Sequence, residues 1–218
     1  LDRLIWWLRK VDYEASQKVD YFIANSENTK SRIEKYYNRD AVVIYPWVDI
    51  KQLSDGVALK KSRTVWDWKS SSADFENDTP NKETISSYYI SIGRCIPYKK
   101  FDLLVDTFNK NRKNLILVTN TDNALFRELK DKSKSNITWK LNISQEEKNS
   151  LLAWAKGFLF PPLEDFGLVP VEAMALGIPV IAYGRWWALE TVAEGVAWVF
   201  FDEQTVESLE AWIKEFEW

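Results

Sequence analysis

The sequence predicts an α/β fold built on a parallel, doubly wound sheet. From Tyr88 onward, short hydrophobic segments alternate with amphipathic segments of helical length. Hydrophobic runs bounded by Gly, Pro or Asn are typical of buried parallel strands, and their alternation with helices is typical of βαβ units. Charged residues directly follow several of the runs, as Arg94 follows the first. Since right-handed crossovers place the carboxyl ends of all parallel strands at one edge, we expect these residues to meet there.

The first fifty residues carry a shorter pattern of the same kind. Apolar residues at helical spacing begin the chain, and Asn25-Ser26 can cap a second helix that ends at Tyr37. The pattern predicts helix, strand, helix and strand, in that order, over residues 2–18, 19–24, 26–37 and 41–45. Pro46 ends the last strand.

The alternating part of the chain supplies the main sheet. We predict strands over residues 88–92, 114–119, 136–140, 157–160, 178–182 and 197–201. We predict helices over residues 98–110, 123–133, 144–155, 168–176, 188–194 and 204–217. Residues 51–85, rich in Lys, Ser, Asp, Asn and Thr, have little periodicity and are interpreted as a linker or surface insertion.

Composition excludes several classes of function. The net charge of −3 provides no basic field for nucleic acid. Without histidine, neither a His-based metal site nor a Ser-His-Asp triad can form. The single cysteine, Cys95, excludes a disulfide framework and fits a reducing compartment, and no apolar run is long enough to span a membrane. Because the chain starts at Leu1 and stops at Trp218 inside a helical pattern, we expect a fragment.

The most informative segment is Glu164-Asp-Phe-Gly-Leu-Val-Pro-Val-Glu172. Glu164 follows the predicted strand 157–160, and Glu172 lies in the first turns of the next predicted helix. Carboxylates at the carboxyl edge of an open α/β sheet are placed where ligands bind and can accept hydrogen bonds from sugar hydroxyls. Taken singly, the two residues also fit a solvated loop acid and a helix N-terminal acid favoured by the dipole.

The wording of residues 164–184, EDFGLVPVEAMALGIPVIAYG, resembles the signature of group 1 retaining nucleotide-sugar glycosyltransferases of the two-Rossmann (GT-B) architecture. Tyr88-Tyr-Ile-Ser-Ile-Gly-Arg94 with Pro97-Tyr-Lys-Lys-Phe-Asp-Leu-Leu-Val105 resembles the opening of the donor-binding domain of that family. Residues 19–26 and 42–46 resemble the end of its acceptor domain and the crossing between domains. The resemblance implies an acceptor-domain remnant with the interdomain crossing (1–50) and a donor-binding domain (86–218). Residues 51–85, the linker or surface insertion between them, carry none of the resemblance.

The resemblance implies a donor site for a UDP- or GDP-linked hexose, without a metal or other cofactor. Arg94 and Lys99 would hold the diphosphate, with Lys100 as a substitute for Lys99. Glu164, as the catalytic-site carboxylate, would contact the donor sugar, beside backbone amides of Phe166 and Gly167, and Glu172 would bind the ribose. Gly184, Trp186 and Trp187 occupy the phosphate-loop positions.

The family also implies a saccharide or lipid-linked acceptor and a cytoplasmic protein that contacts the membrane surface through its missing half. That half supplies the acceptor pocket and a catalytic-site histidine. We therefore expect the 218-residue chain alone to bind nucleotide at best and to transfer little or no sugar.

The sequence departs from the family at several glycine positions. Trp186-Trp187 stands where glycines normally let amides approach phosphate, and two indoles there would occlude the pocket. The chain has 12 Trp and 7 Gly, whereas average usage of ~7% predicts about fifteen Gly. Trp47, Trp154 and Trp198 fit the same pattern. Some bacterial lineages read UGA as glycine, so one hypothesis is that these Trp residues are mistranslated glycine codons.

If the Trp residues are real, the pocket is degenerate, and the second hypothesis is a non-catalytic module that binds a partner protein or glycan through exposed aromatic residues. A sugar-nucleotide epimerase on the same architecture is a third alternative. The EDFGLVPVEAM wording and the Arg94–Lys99 pair favour a transferase.

Overall fold

The structure is a computed structural model that describes residues 2–54, 88–185, 190 and 198–217. These residues form two compact units. By their contacts, residues 2–47, 164–167 and 190 belong to the first unit, and the other described residues belong to the second. Apart from residue 190, the predicted helix 188–194 lies outside the described residues, as does most of the linker 51–85.

The first unit contains helix α1 (Asp2–Ser16), strand β1 (Ile23–Ala24), helix α2 (Glu27–Tyr37) and strand β2 (Val42–Val43). The strands pair in parallel. The Ser26 hydroxyl accepts from the Thr29 amide and so caps α2, as the sequence predicts. Ala24, Ile33 and Ala41 form a small core beneath Phe22, Tyr37 and Val43.

The two strands of the first unit are shorter than predicted. The prediction of strand over residues 19–24 was wrong for residues 19–22. Arg39 donates hydrogen bonds to the carbonyls of Val19 and Asp20. Those carbonyls are therefore used by a side chain instead of a strand ladder. Only Ile23–Ala24 pairs regularly with β2.

The second unit begins with the short helix α3 (Ile50–Ser54), at the start of the predicted linker. Its parallel sheet contains β3 (Tyr88–Ile92), β4 (Asn114–Thr119), β5 (Ile137–Leu141), β6 (Gly157–Phe160), β7 (Val180–Tyr183) and β8 (Trp198–Phe201). The strand order is β5-β4-β3-β6-β7-β8. All five neighbouring pairs run parallel, which confirms the predicted fold class.

The described helices of the alternating region are α4 (Phe101–Asn111), α5 (Ala124–Lys132), α6 (Gln145–Ala153), α7 (Leu168–Ala175) and α8 (Val206–Phe216). Side-chain oxygens of Asn123, Ser144 and Thr205 cap α5, α6 and α8. Before α4, the predicted helix start was early: Pro97–Lys99 is a 3₁₀ turn, and Lys100 has a φ of 58°, so the α-helix begins at Phe101. The left-handed residue breaks the helix there.

The main core lies between the sheet and the α4 and α8 helices. Apolar side chains of the strands meet those of the helices, and the largest fully buried ones there are Tyr89, Leu104, Phe108, Leu115, Leu117, Leu159 and Phe201. Tyr89 and Phe108 pack edge to face, with ring centroids 5.6 Å apart. This packing fixes the strand ends from which the candidate site residues project.

A cluster of three hydrogen-bond donors around one carboxylate lies at the amino edge of the sheet. Glu217, just after α8, accepts hydrogen bonds from the Tyr89 hydroxyl (2.9 Å), the Lys156 ammonium (2.6 Å) and the Lys113 ammonium. Burial acts to raise the pKa of Glu217, but these three donors outweigh it and leave the pKa below its usual value.

No described helix has the combination of length and apolar character needed to cross a membrane.

Candidate functional site

The sheet has a topological switch point between β3 and β6. The chain leaves β3 toward β4 and β5 on one side, and β6, β7 and β8 lie on the other. In open parallel sheets, the crevice for a ligand lies at such a point, outside the carboxyl ends of the strands. Arg94 follows β3 at this edge, as the sequence predicts.

Two cations follow β3 on a short, ordered segment. Arg94 is exposed, and its Nη2 lies 3.4 Å from the Tyr98 hydroxyl. The ammonium of Lys99 lies 5.3 Å from the ring centroid of Tyr98 and 5.8 Å from that of Phe160, the last residue of β6. Lys99 therefore extends from β3 to the end of the neighbouring strand. Lys100 is at the left-handed position before α4.

Lys99 reaches that position across Gly93. A Cβ at residue 93 would lie 3.8 Å from Lys99 Cδ, which is ordinary van der Waals contact. The Gly93 amide donates to the carbonyl of Val118. The turn after β3 is thus tied to β4, and the Lys99 side chain packs along it.

Residues that the sequence analysis did not assign to the site hold this segment. The amide of Cys95 donates to the Thr119 hydroxyl at 3.1 Å, and the Asn123 side-chain amide donates to the Cys95 carbonyl at 2.8 Å. Asn123 also caps α5. The turn Asn120-Thr-Asp-Asn123, which follows β4, therefore orders the backbone beside Arg94. Polar residues at the end of the predicted strand 114–119 were the signal for this.

Cys95 is itself inert in this environment. It is buried, and burial, followed by the nearby Asp102 charge, raises the pKa of its thiol to about 11.

Glu172 lies within α7, where the sequence predicts it, and it has a partner that the sequence did not reveal. The Lys148 ammonium on α6 donates to Glu172 Oε2 at 2.9 Å, and the two side chains are 17% and 19% exposed. Among the described residues this bond uses only Oε2. A carboxylate oriented in this way can accept a hydroxyl hydrogen bond at Oε1.

The predicted phosphate loop follows β7. The Gly184 amide donates to the Phe201 carbonyl at 3.0 Å, and a Cβ at residue 184 would lie 3.1 Å from Phe200 Cβ. The close approach to β8 accounts for glycine at this position. Trp186 and Trp187 lie outside the described residues. Trp154, at the end of α6, has a φ of −101°, a conformation that does not require glycine.

The loop that carries Glu164, Phe166 and Gly167 makes its contacts within the first unit. Arg32 Nη1 donates to both oxygens of Asp165, at 2.5 and 2.6 Å, and the Asn28 side chain donates to Oδ1 at 3.2 Å. The Phe166 and Tyr45 rings are tilted, with centroids 6.3 Å apart. Gly167 is buried just before α7 begins, in agreement with the predicted helix start.

A second carboxylate, that of Glu190, binds the amino terminus of α2, where Asp165 also accepts a hydrogen bond from Asn28. Glu190 accepts from the backbone amides of Glu27 and Asn28, each at 2.7 Å. Partial burial, followed by the charges of Glu190 and Glu27, raises the pKa of the Tyr45 hydroxyl. Two acids that sequence analysis did not assign, Asp165 and Glu190, thus meet at the first turns of α2.

The predicted site residues fall into two groups. Arg94, Lys99, Lys100, Glu172 and Gly184 belong to the second unit, after β3, β6 and β7. Glu164, Phe166 and Gly167 belong by their contacts to the first. Their ligand-binding roles stay predictions.

A parallel doubly wound sheet with basic residues at its switch point defines a Rossmann-like domain. In fold, the chain is similar to a crystal structure of Anabaena Alr3699/HepE in complex with UDP and glucose. The TM-score is 0.74 and the identity is 20%, over 95% of this chain and 56% of that one. A sucrose-phosphate synthase from Thermosynechococcus elongatus gives a TM-score of 0.72 at 18% identity, over 96% of this chain and 52% of that one.

The sequence model described as "Glycosyl transferases group 1" matches residues 73–217, and the chain belongs to this family. It is 27% identical over 207 residues to the alpha-1,3/1,6-mannosyltransferase ALG2 of Dictyostelium discoideum, covering 81% of this chain and 47% of the relative. The Saccharomyces cerevisiae protein of the same name is 28% identical over 223 residues, which cover 82% of this chain and 41% of the relative. The chain thus spans less than half the length of these relatives.

Proposed function

We propose that the chain is the donor-binding part of a retaining glycosyltransferase that moves a hexose from a nucleotide-diphosphate sugar to a saccharide or lipid-linked acceptor. The placement of Arg94 and Lys99 at the switch point of the sheet supports this most directly. Two cations there can stabilise the charge that a diphosphate gains as it leaves. Membership of the glycosyl transferases group 1 family agrees with it.

In the proposed reaction, the bond between the anomeric carbon and the diphosphate oxygen breaks, and its electron pair stays with the diphosphate. The acceptor oxygen forms the new bond on the same face of the sugar, and its proton passes to the departing diphosphate. Arg94 and Lys99 bind that diphosphate, with Lys100 as a neighbouring cation. Glu164 binds the sugar hydroxyls and Glu172 the ribose hydroxyls. Neither carboxylate has to form a covalent intermediate, and no metal is needed.

The sugar is the less specified part of the proposal. Two of the relatives are mannosyltransferases by name, which supports mannose as the hexose. The Anabaena structure contains UDP and glucose, so UDP-glucose is the alternative donor to test against GDP-mannose.

Calorimetric titration of the chain with UDP, GDP, UMP and GMP tests the proposal. We expect one diphosphate to bind, and the matching monophosphate to bind at least about tenfold more weakly, because it lacks the second phosphate that the two cations contact. Addition of EDTA leaves the affinity unchanged. A radiolabelled-sugar assay with UDP-glucose and GDP-mannose gives little or no transfer by the 218-residue chain. Failure of both diphosphates to bind contradicts the proposal.

Trp186-Trp187 favours the second candidate function, a non-catalytic module that binds a partner protein or glycan. The codons at positions 186 and 187 distinguish the two. UGA codons in a host that reads them as glycine would restore a glycine phosphate loop and support the transferase. UGG codons would place two indoles there and favour the module.

A further inference from the structure

We propose that Asn28, Arg32 and Tyr45, here called the loop anchor, position the segment 164–167 for recognition of the donor sugar. The inference rests on the proposed function, because it concerns the segment that carries Glu164. Nothing in the sequence connects these residues, which lie more than a hundred positions before the loop. The anchor residues act through the loop, so they are positioning residues and need not touch the ligand.

The first contact fixes the residue next to Glu164. Asp165 receives two hydrogen bonds from Arg32 Nη1 and one from the Asn28 side chain. Both carboxylate oxygens are bound, which restrains rotation of the group as well as its position. Because Glu164 precedes Asp165 directly, the restraint limits the directions in which the Glu164 side chain can leave the backbone.

The second contact fixes the following residue. The Phe166 ring packs against Tyr45, at a centroid separation of 6.3 Å. Two consecutive loop residues, Asp165 and Phe166, therefore contact different side chains of the first unit. Such a segment holds the Glu164 carboxylate and the backbone amides of Phe166 and Gly167 in a defined arrangement.

Asn28 connects this loop to a second one. Its side chain donates to Asp165, while its backbone amide donates to Glu190. Glu190 lies three positions after Trp187, at the end of the predicted phosphate loop. The positive end of the α2 dipole favours both carboxylates at this helix terminus. One turn of α2 therefore contacts both the loop 164–167 and Glu190.

The exposure of Arg32 and Asp165 favours a role in positioning the loop over a role in stabilising the fold. Arg32 and Asp165 are 49% and 38% exposed, and an exposed ion pair contributes little to overall stability. Loss of the pair should leave the fold intact and change mainly the placement of the loop.

The test measures two affinities for each variant, one for the nucleotide diphosphate that binds best and one for its hexose conjugate, UDP-glucose or GDP-mannose. For Arg32→Asp we expect the conjugate-to-diphosphate affinity ratio to fall on the order of tenfold, because Glu164 is misplaced. The affinity for the bare diphosphate stays within about twofold, because Arg94, Lys99 and Glu172 are in the second unit. The charge swap Arg32→Asp with Asp165→Arg restores most of the ratio.

Lys30→Asp is the matched control. Lys30 lies on the same helix and pairs with Asp40 at 3.2 Å, away from the loop. We expect wild-type values for both affinities. An unchanged ratio in Arg32→Asp overturns the anchor alone. Failure of the wild-type chain to bind any diphosphate overturns the proposed function and, with it, this inference. A wild-type chain that binds the diphosphate and its conjugate equally well overturns the anchor.

Discussion

Basic residues lie at both edges of the main sheet, but their hydrogen-bond partners differ. At the amino edge, Lys113 and Lys156 stand directly before β4 and β6, and both donate to Glu217. At the carboxyl edge, Arg94 follows β3 and contacts the Tyr98 hydroxyl. Within the described part of the chain, no carboxylate forms an ion pair with Arg94. Lys99 lies over aromatic rings.

The difference separates structure from binding within one sheet. At the amino edge, an acid from the end of α8 compensates the cations and connects three elements. At the carboxyl edge, the Arg94 guanidinium has no carboxylate partner among the described residues, so it can bind a diphosphate without first breaking an ion pair with any of them. The candidate site is therefore marked by a basic residue, Arg94, that has no carboxylate partner among the described residues, and not by the presence of lysine or arginine alone.

The largest effect is expected from Arg94→Ala combined with Lys99→Ala. Loss of two charge-assisted contacts should weaken nucleotide-diphosphate binding roughly a hundredfold, about 3 kcal/mol, as measured by calorimetry. Lys156→Ala at the amino edge is the control and should lower the unfolding temperature without changing the affinity. If both variants bind equally well, the two edges do not differ in function.

Glu217→Gln should reduce the free energy of unfolding by about 2 kcal/mol at pH 7, because the partly buried carboxylate loses its charge and with it the strength of three hydrogen bonds. The pKa of Glu217 is lower in the folded state than its reference value of 4.5. Its stabilisation is therefore present above about pH 4.5 and is lost as the pH falls through the folded-state pKa. Urea unfolding of both proteins between pH 3 and 7 measures this; a difference independent of pH would contradict the assignment.

A smaller effect is expected from Lys148→Met, which removes the counter-ion of Glu172. Discrimination between the nucleotide and its 2′-deoxy form should fall about fivefold, since the carboxylate loses the donor that orients it. Lys148→Arg should retain most of the discrimination. Lys140→Met, which removes an exposed pair with Glu147, is the control. Equal discrimination in wild type and Lys148→Met would argue against a role of the pair in ribose binding.

Sequence periodicity predicts the second unit well because its strands are buried. The bounds 88–92, 114–119 and 157–160 agree with the structure, since each hydrophobic run is enclosed by neighbouring strands or helices. The strand bounds of the first unit follow the prediction less closely, because among the described residues β1 and β2 pair with each other in a two-stranded sheet. There, local hydrogen bonds from Arg39 decide where β1 begins.

The placement of Gly93-Arg94 after a strand could be predicted from the chain, because sheet topology sets the edge at which the strand ends. The side-chain partners of the candidate site residues could not be predicted. The partners of Glu172 and Asp165 come from other helices, and no local pattern connects Lys148 or Arg32 to them. Such pairs depend on tertiary packing alone.

The contact between Arg32 and Asp165 also bears on the order of synthesis. The two residues are separated by 133 positions, so α2 has left the ribosome long before the loop is made. The conformation of residues 164–167 is then acquired against residues that are already present. A peptide cut from this region, with its own flanking strand and helix, would lack the groups that define its shape. The conformation of the tetrapeptide Glu-Asp-Phe-Gly therefore depends on residues that lie more than a hundred positions earlier in the sequence.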